Sequence, residues 1–304
     1  MLIEDVIQDE FHYTQKSIEV LDSHISYIEQ GRGNPIVFIH GVPTSNYLWR
    51  NIIPHACTSG RCIAPDLIGF GHSGKPSINY TIIDHVEYLT AFIDAMVLQD
   101  ITLVMHGWGS VIGFVYAMQN PEKVRAVAFY EAHIRPMMTP DLIALPVQQM
   151  VVGLANDPDL KHKVLTTDYL IKNLFATTVM RKLTDKELQF YCEPFKTPED
   201  RKPVWTYLCA LPWNGKCEST AALIQEYADF LQQSDMPKLL MYSVPGFITP
   251  IDTVAWAKTH LSNLTMIDLG DALHCAQEVN PELMGKAIAV WIQSSQPTKA
   301  CSNK

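Results

Sequence analysis

No run of eighteen apolar residues occurs in the chain, so no membrane-spanning helix is expected. There is no block of like charge either: Lys+Arg 23 against Asp+Glu 32 leaves a net charge of −9 spread along 304 residues. That balance argues against a nucleic-acid footprint and against a polybasic membrane patch. The opening residues, Met1-Leu2-Ile3-Glu4-Asp5, are acidic where a secretory leader or transit peptide would be basic. The seven cysteines are odd in number and without paired spacing, which speaks against a disulfide scaffold and a zinc module. Gly31-Arg32-Gly33-Asn34 is short of the third glycine of a dinucleotide fingerprint, and no Walker-type loop occurs. No metal and no cofactor are therefore expected. With 47% hydrophobic and 18% charged residues, what remains is one large globular domain, or a core with an insertion, expected in the cytoplasm.

The first third alternates strand and helix. Ile18-Glu19-Val20-Leu21 and Ile25-Ser26-Tyr27-Ile28 read as a hairpin turned at Asp22-Ser23. Short apolar runs of the buried parallel kind follow at Ile36 to Ile39, Cys62 to Ala64, Ile101 to Met105 and Val124 to Phe129. Two more come late, Lys238 to Tyr242 and Leu264 to Ile267. Between them, Ile83, Val86, Leu89, Phe92, Ile93 and Met96 follow the helical period, and a helix is expected from about Pro281 to Ile292. Residues 134 to 212 break the rhythm: they show no strand pattern and are punctuated by Pro140, Pro146, Pro158, Pro194 and Pro203. The simplest account is a helical insertion over the carboxyl edge of one parallel sheet, the edge where open α/β sheets bind ligands. The polar stretch from Ser294 to Lys304 reads as a disordered tail.

Three short segments carry chemistry. His40-Gly41-Val42-Pro43 follows a strand directly, and a turn there can leave backbone N–H groups facing a developing negative charge. It is equally readable as an ordinary strand-to-loop turn. Met105-His106-Gly107-Trp108-Gly109-Ser110 has the strand–turn–helix setting of a nucleophile elbow, with Gly107 at its centre. Glycine suits a tight turn, but it has no side chain with which to attack. Gly270-Asp271-Ala272-Leu273-His274 reads as a loop between the last strand and the final helix. That is the slot of the base in the order nucleophile, acid, histidine.

Longer stretches surround these three. They are His40-Gly41-Val42-Pro43-Thr44-Ser45-Asn46-Tyr47-Leu48-Trp49-Arg50 and Ala64-Pro65-Asp66-Leu67-Ile68-Gly69-Phe70-Gly71-His72-Ser73-Gly74-Lys75-Pro76. Further along come Phe129-Tyr130-Glu131 with Arg135-Pro136, Tyr191-Cys192-Glu193-Pro194-Phe195, and Pro237-Lys238-Leu239-Leu240. Last is Leu273-His274 with Gln277-Glu278, Asn280-Pro281 and Gly285. From about Tyr13 to Ile292 the chain resembles the haloalkane dehalogenases of the α/β-hydrolase superfamily. The resemblance implies an α/β-hydrolase fold: a mostly parallel eight-stranded sheet flanked by helices, with a helical cap inserted after strand 6. Residues 1–133 and 213–304 would form the core domain, and 134–212 the cap. The first stretch is similar to the family's oxyanion loop, Phe129-Tyr130-Glu131 to the strand that carries the acid in one of its branches, and Leu273-His274 to the histidine loop.

Two departures bear on function. In that family a carboxylate at the elbow displaces halide from carbon, and the matching position here is Gly107. The halide is cradled there between an Asn side chain and a Trp indole; Trp108 keeps the second donor, while the Asn slot is Val42. Ordinary dehalogenation is therefore not expected. Glu131 can still hold His274 in one tautomer, as the acid of a triad does. An imidazole of ordinary pKa, about 6.5, can give or take a proton at neutral pH. The backbone N–H groups of Val42 and Trp108 can still face an oxyanion, since side-chain replacement leaves them in place.

The function expected is a non-hydrolytic, cofactor-independent isomerase or cyclase acting on a small apolar natural-product intermediate, with neither nucleic acid nor membrane as partner. Some fungal biosynthetic enzymes similar to haloalkane dehalogenases rearrange or cyclise epoxides in alkaloid pathways, and the analogy points to that chemistry. Two other readings stand beside it: a dehalogenase inactivated at its nucleophile, and a non-catalytic ligand-binding relative.

Lesser candidates complete the reading. Asp252 follows a late strand, where many α/β hydrolases place their acid, and is the alternative to Glu131. His106 is expected to pack, His133 to lie at the surface with the pocket mouth as alternative, and Asp66 to fix a loop. Trp49 and Arg50 are expected behind the oxyanion loop. Met137, Met138, Leu142, Leu145, Val147, Met150 and Leu154 are expected in the core of the cap, some of them roofing the pocket.

Overall fold

The computed structural model describes residues 7–135, 148–149, 152–153, 156–212 and 217–295. Eight strands form one sheet: β1 (Lys16–Val20), β2 (Ser23–Gln30), β3 (Pro35–Ile39), β4 (Arg61–Pro65), β5 (Ile101–Gly107), β6 (Val124–Ala132), β7 (Lys238–Pro245) and β8 (Leu264–Ala272). Their order is β1-β2-β4-β3-β5-β6-β7-β8. The β1–β2 hairpin and the β2–β4 pair are antiparallel, and every pairing from β4 through β8 is parallel. The apolar runs are central strands with both faces covered: β5 is buried along its whole length and β6 at all but Arg125.

The described helices are α1 (Ile53–Ala56), α2 (Ile82–Ala95), α3 (Trp108–Gln119), α4 (Leu160–Thr166), α5 (Asp185–Cys192), α6 (Lys202–Cys209), α7 (Glu218–Gln233), α8 (Ile251–His260) and α9 (Pro281–Ser294). A capping box opens α2, with Thr81 and Asp84 exchanging hydrogen bonds. Its inward face differs from expectation at one place. Ile83 is 47% exposed, whereas His85 is fully buried. Centring the inward stripe on Val86, Leu89 and Ile93 turns position 85 inward and position 83 outward. His85 is accommodated because its one ring N–H can donate to a main-chain carbonyl, those of Thr81 and Ile68 lying 2.9 and 3.0 Å from Nδ1 and Nε2.

A second difference concerns Gly270-Asp271-Ala272, expected as loop. These residues continue β8, pairing Asp271 with Val244 and Ala272 with Pro245 beyond a register shift. The sheet therefore delivers the chain to within two residues of His274.

The stretch between β6 and β7 is helical over most of its described residues, through α4, turns from Leu170 to Thr178, α5 and α6. Its Val164, Leu170, Ile171, Phe175, Tyr191 and Tyr207 belong to one continuous core with the strands. Met137, Met138, Leu142, Leu145, Val147, Met150 and Leu154 lie outside the described residues, as do Met1 to Asp5 and the tail beyond Ser295. Among the described residues, no helix is long and apolar enough to cross a membrane.

Candidate active site

The carboxyl ends of β3, β5, β6, β7 and β8 converge, and the residues singled out in the sequence sit there. Gly107 closes β5 and caps α3 with φ 52° and ψ −128°. Such a φ strains any residue with a Cβ and is free for glycine. A Cβ placed on Gly107 would lie 3.3 Å from His274 Nε2. The turn thus has the aim of a nucleophile elbow toward its base, with a hydrogen atom at the point of aim.

His274 is held from several sides. Its Nδ1 meets Glu131 Oε2 at 3.1 Å. Its main-chain oxygen accepts from His106 Nε2 at 2.8 Å, and its N–H donates to Thr178 O at 3.2 Å. One residue earlier, Leu273 O accepts from the Tyr130 hydroxyl. His106 is thus buried, as expected, but it does more than fill space: it clamps the backbone of the histidine loop. Burial pushes its pKa well below the ordinary value, with neighbouring His274 adding to the shift, so it stays a neutral donor.

Glu131 is 1% exposed and takes φ 49° at the end of β6. A non-glycine residue there stores strain, which persists where the surroundings over-determine it. They do so here through three main-chain N–H groups, from Phe247 at 2.9 Å, Ile248, and Thr249 at 3.2 Å. With His274 Nδ1, four donors converge on two carboxylate oxygens. The loop after β7 comes this close because Gly246 has no side chain: a Cβ there would sit 3.2 Å from Glu131 Oε1. Asp252, the alternative acid, is exposed on α8, and the carboxylate at His274 is that of Glu131.

Two peptide planes are fixed by their carbonyls. Gly41 O accepts from His40 Nδ1 at 2.7 Å, Thr44 Oγ1 at 2.8 Å and Thr44 N at 3.1 Å. Gly107 O accepts from Ser110 Oγ at 2.6 Å. Because a peptide is planar and trans, fixing the oxygen of one residue fixes the N–H of the next on the opposite side. The N–H groups of Val42 and Trp108 are therefore oriented by Thr44, His40 and Ser110. Trp108 is also the first residue of α3, whose N–H has no intrahelical acceptor.

These groups border an apolar cavity of about 100 Å³. Val42, Gly107, Trp108, His133 and His274 line it from the sheet side, Phe247 and Ile248 from the β7 loop, and Leu170, Leu174, Phe175, Thr178, Val204 and Tyr207 from the stretch between β6 and β7. No carboxylate, lysine or arginine lines it among the described residues. His133 was expected at the surface; it is 3% exposed and lines the cavity. The cause is its anchoring, since His133 N–H donates to Ser110 Oγ at 3.0 Å and its carbonyl accepts from the Tyr227 hydroxyl.

Asp66 is fully buried away from the cavity, accepting from the N–H groups of Asn46 at 2.7 Å and His72 at 2.9 Å. Arg50 follows the turn after β3 and joins a buried cluster with Glu187, Glu278, Arg181 and Tyr191, which ties the histidine loop to the stretch between β6 and β7. Trp49 is buried against Phe38, ring centroids 5.2 Å apart. Among the described residues, no group of three His, Cys, Asp or Glu side chains is placed to hold a metal ion.

The sequence reading missed Thr44, Ser110, Thr178, Tyr207 and the loop from Gly246 to Thr249. Only Ser110 carried a visible signal, as the hydroxyl three residues past the elbow glycine.

The family model for the alpha/beta hydrolase fold matches residues 34–281. A haloalkane dehalogenase of Mesorhizobium japonicum is 38% identical over 281 residues, which cover 91% of each chain. Among solved structures, an ancestral haloalkane dehalogenase superposes with a TM-score of 0.87 at 38% identity, covering 92% of this chain and 99% of the other. The haloalkane dehalogenase of Bradyrhizobium elkani gives 0.88 at 33% identity, with 93% and 98% covered. Fold, coverage and identity agree: the chain belongs to the haloalkane dehalogenase family of α/β-hydrolase-fold proteins.

Proposed function

We propose that the chain is a cofactor-independent isomerase or cyclase that moves a proton within an apolar substrate and attacks it with no side chain of its own. The observation that carries this reading is the elbow: a Cβ at its central position would lie 3.3 Å from His274 Nε2, and the residue there is Gly107. His274, oriented by Glu131, is left with proton transfer. An intramolecular reaction needs positioning and proton transfer but no enzyme nucleophile.

An epoxide carrying an internal hydroxyl fits this arrangement. His274 Nε2 takes the hydroxyl proton as that oxygen closes on an epoxide carbon and the ring carbon–oxygen bond breaks. The oxygen released bears the negative charge, faced by the N–H groups of Val42 and Trp108, until the imidazolium returns the proton to it. Substrate and product are isomers. Apolar walls favour the internal nucleophile by keeping competing water out. A panel of epoxide-bearing intermediates, followed by mass spectrometry, tests this. His274→Ala is expected to lower isomer formation by about 10²-fold or more, and undiminished formation refutes the reading.

A second reading is a dehalogenase inactivated at its nucleophile, favoured by the relatives' activity and by an elbow that keeps the strained conformation. It expects Gly107→Asp, alone or with Val42→Asn, to release halide from brominated alkanes. A folded double variant that releases none removes it.

A further inference from the structure

Four imidazoles besides His274 are buried around the sheet edge, and their nitrogens are used differently. In His40, Nδ1 donates to Gly41 O at 2.7 Å and Nε2 accepts from Leu67 N–H at 2.9 Å. In His85 both nitrogens face carbonyls. In His106, Nε2 is engaged and Nδ1 is buried without a partner among the described residues. His133 differs from all three. Its main chain is hydrogen-bonded at both ends, yet neither ring nitrogen meets a partner among the described residues. The residue is 3% exposed and lines the cavity.

We propose that His133 is a recognition residue of this cavity, so that the occupant is a small apolar molecule carrying one hydroxyl, N–H or carbonyl that hydrogen-bonds to the His133 ring. The inference rests on the proposed reading only in taking this cavity as the ligand site. The ring is preorganised for the task, packed on the Trp108 indole with centroids 4.9 Å apart and planes at 34°. Burial, reinforced by His274, pushes its pKa down to about 3. The ring is therefore neutral at ordinary pH, with one donor and one acceptor nitrogen. A wholly apolar occupant would strip water from that ring and return no hydrogen bond, which is the unfavourable half of the balance. Leucine, phenylalanine and valine walls supply affinity without discrimination, and the ring adds a polar contact beside those of His274 and Thr178 in the same lining.

Phenol and toluene, matched in size and differing in one hydroxyl, are the probes. Isothermal titration is run on the wild type, His133→Phe and His274→Ala. The ratio of phenol to toluene affinity is expected to fall about ten-fold in His133→Phe, the effect of one buried hydrogen bond. It is expected to hold in His274→Ala, so a failure of the acid–base reading leaves this result standing. Nitrogen NMR on the wild type gives a readout independent of that variant's folding: phenol should move the His133 ring signal and toluene should not. An unchanged ratio in folded His133→Phe, an unmoved ring signal, or a cavity that takes neither probe overturns the proposal.

Discussion

Two buried ionic groups meet the same short stretch of chain, and they differ in how completely they are satisfied. Around Glu278, Arg50 reaches both carboxylate oxygens, Arg181 Nη2 reaches Oε2 at 2.6 Å, and the Tyr191 hydroxyl reaches Oε1. Glu187 receives Arg50 at 2.9 Å, Arg181 Nη1 at 2.7 Å and Thr184 N–H at 2.8 Å. Two guanidinium groups face two carboxylates, and the arrangement closes on itself. Four residues before Glu278 stands His274; its partner Glu131 is equally well supplied with donors, but His274 has one nitrogen left over, turned toward Gly107 and the cavity. A closed ionic cluster fastens elements together; an open one beside an apolar cavity is equipped to act on whatever enters. Both lie at the carboxyl edge of the sheet, so position alone would not have separated them.

That contrast can be broken experimentally, most severely at the closed cluster. Glu278→Ala removes one of the two carboxylates that face Arg50 and Arg181 and leaves the buried Tyr191 hydroxyl without its acceptor; it is expected to lower stability by about 3–5 kcal/mol, read from urea unfolding. A loss below about 1 kcal/mol would show the cluster to be dispensable.

The neutral buried imidazoles come next. His85 is held down to about 4 by burial, against about 6.5 in an unfolded chain. As pH falls the unfolded chain takes the proton first, so stability tied to neutral His85 is complete above about 6.5 and is lost as the pH falls toward 4. At about pH 5 the loss amounts to about 2 kcal/mol. His85→Gln should shrink the stability difference between about pH 7.5 and 5 by that amount, and an unchanged pH profile would contradict the assignment. The smallest effect belongs to the exposed pair of Lys286 with Glu282 on α9. Lys286→Ala should change the unfolding free energy by less than about 0.5 kcal/mol.

Much of this architecture was legible in the sequence because buried parallel strands announce themselves as apolar runs, and because the strand order places Gly107, Glu131 and His274 at one edge. The site's supporting atoms were not legible, for a physical reason. The N–H groups of Phe247, Ile248 and Thr249 belong to the main chain and have no side-chain signature. Thr44 and Ser110 act on carbonyls, which any residue carries. His133 was misplaced because a histidine in isolation is more often at the surface, and its burial follows from anchors at Ser110 and Tyr227, far away in sequence. Ile83 was misplaced because an apolar residue beside a helical stripe satisfies the period nearly as well as one within it.

On the proposed reading, His274 takes a proton from the substrate and returns it, and no residue of the chain attacks. Its most direct test is turnover of an epoxide bearing an internal hydroxyl in isotopically labelled water, with products and intact protein both weighed. Proton transfer alone gives a product of the substrate's mass, free of solvent oxygen, on an unmodified chain. A labelled diol, or a substrate fragment covalently bound to any side chain, would contradict it.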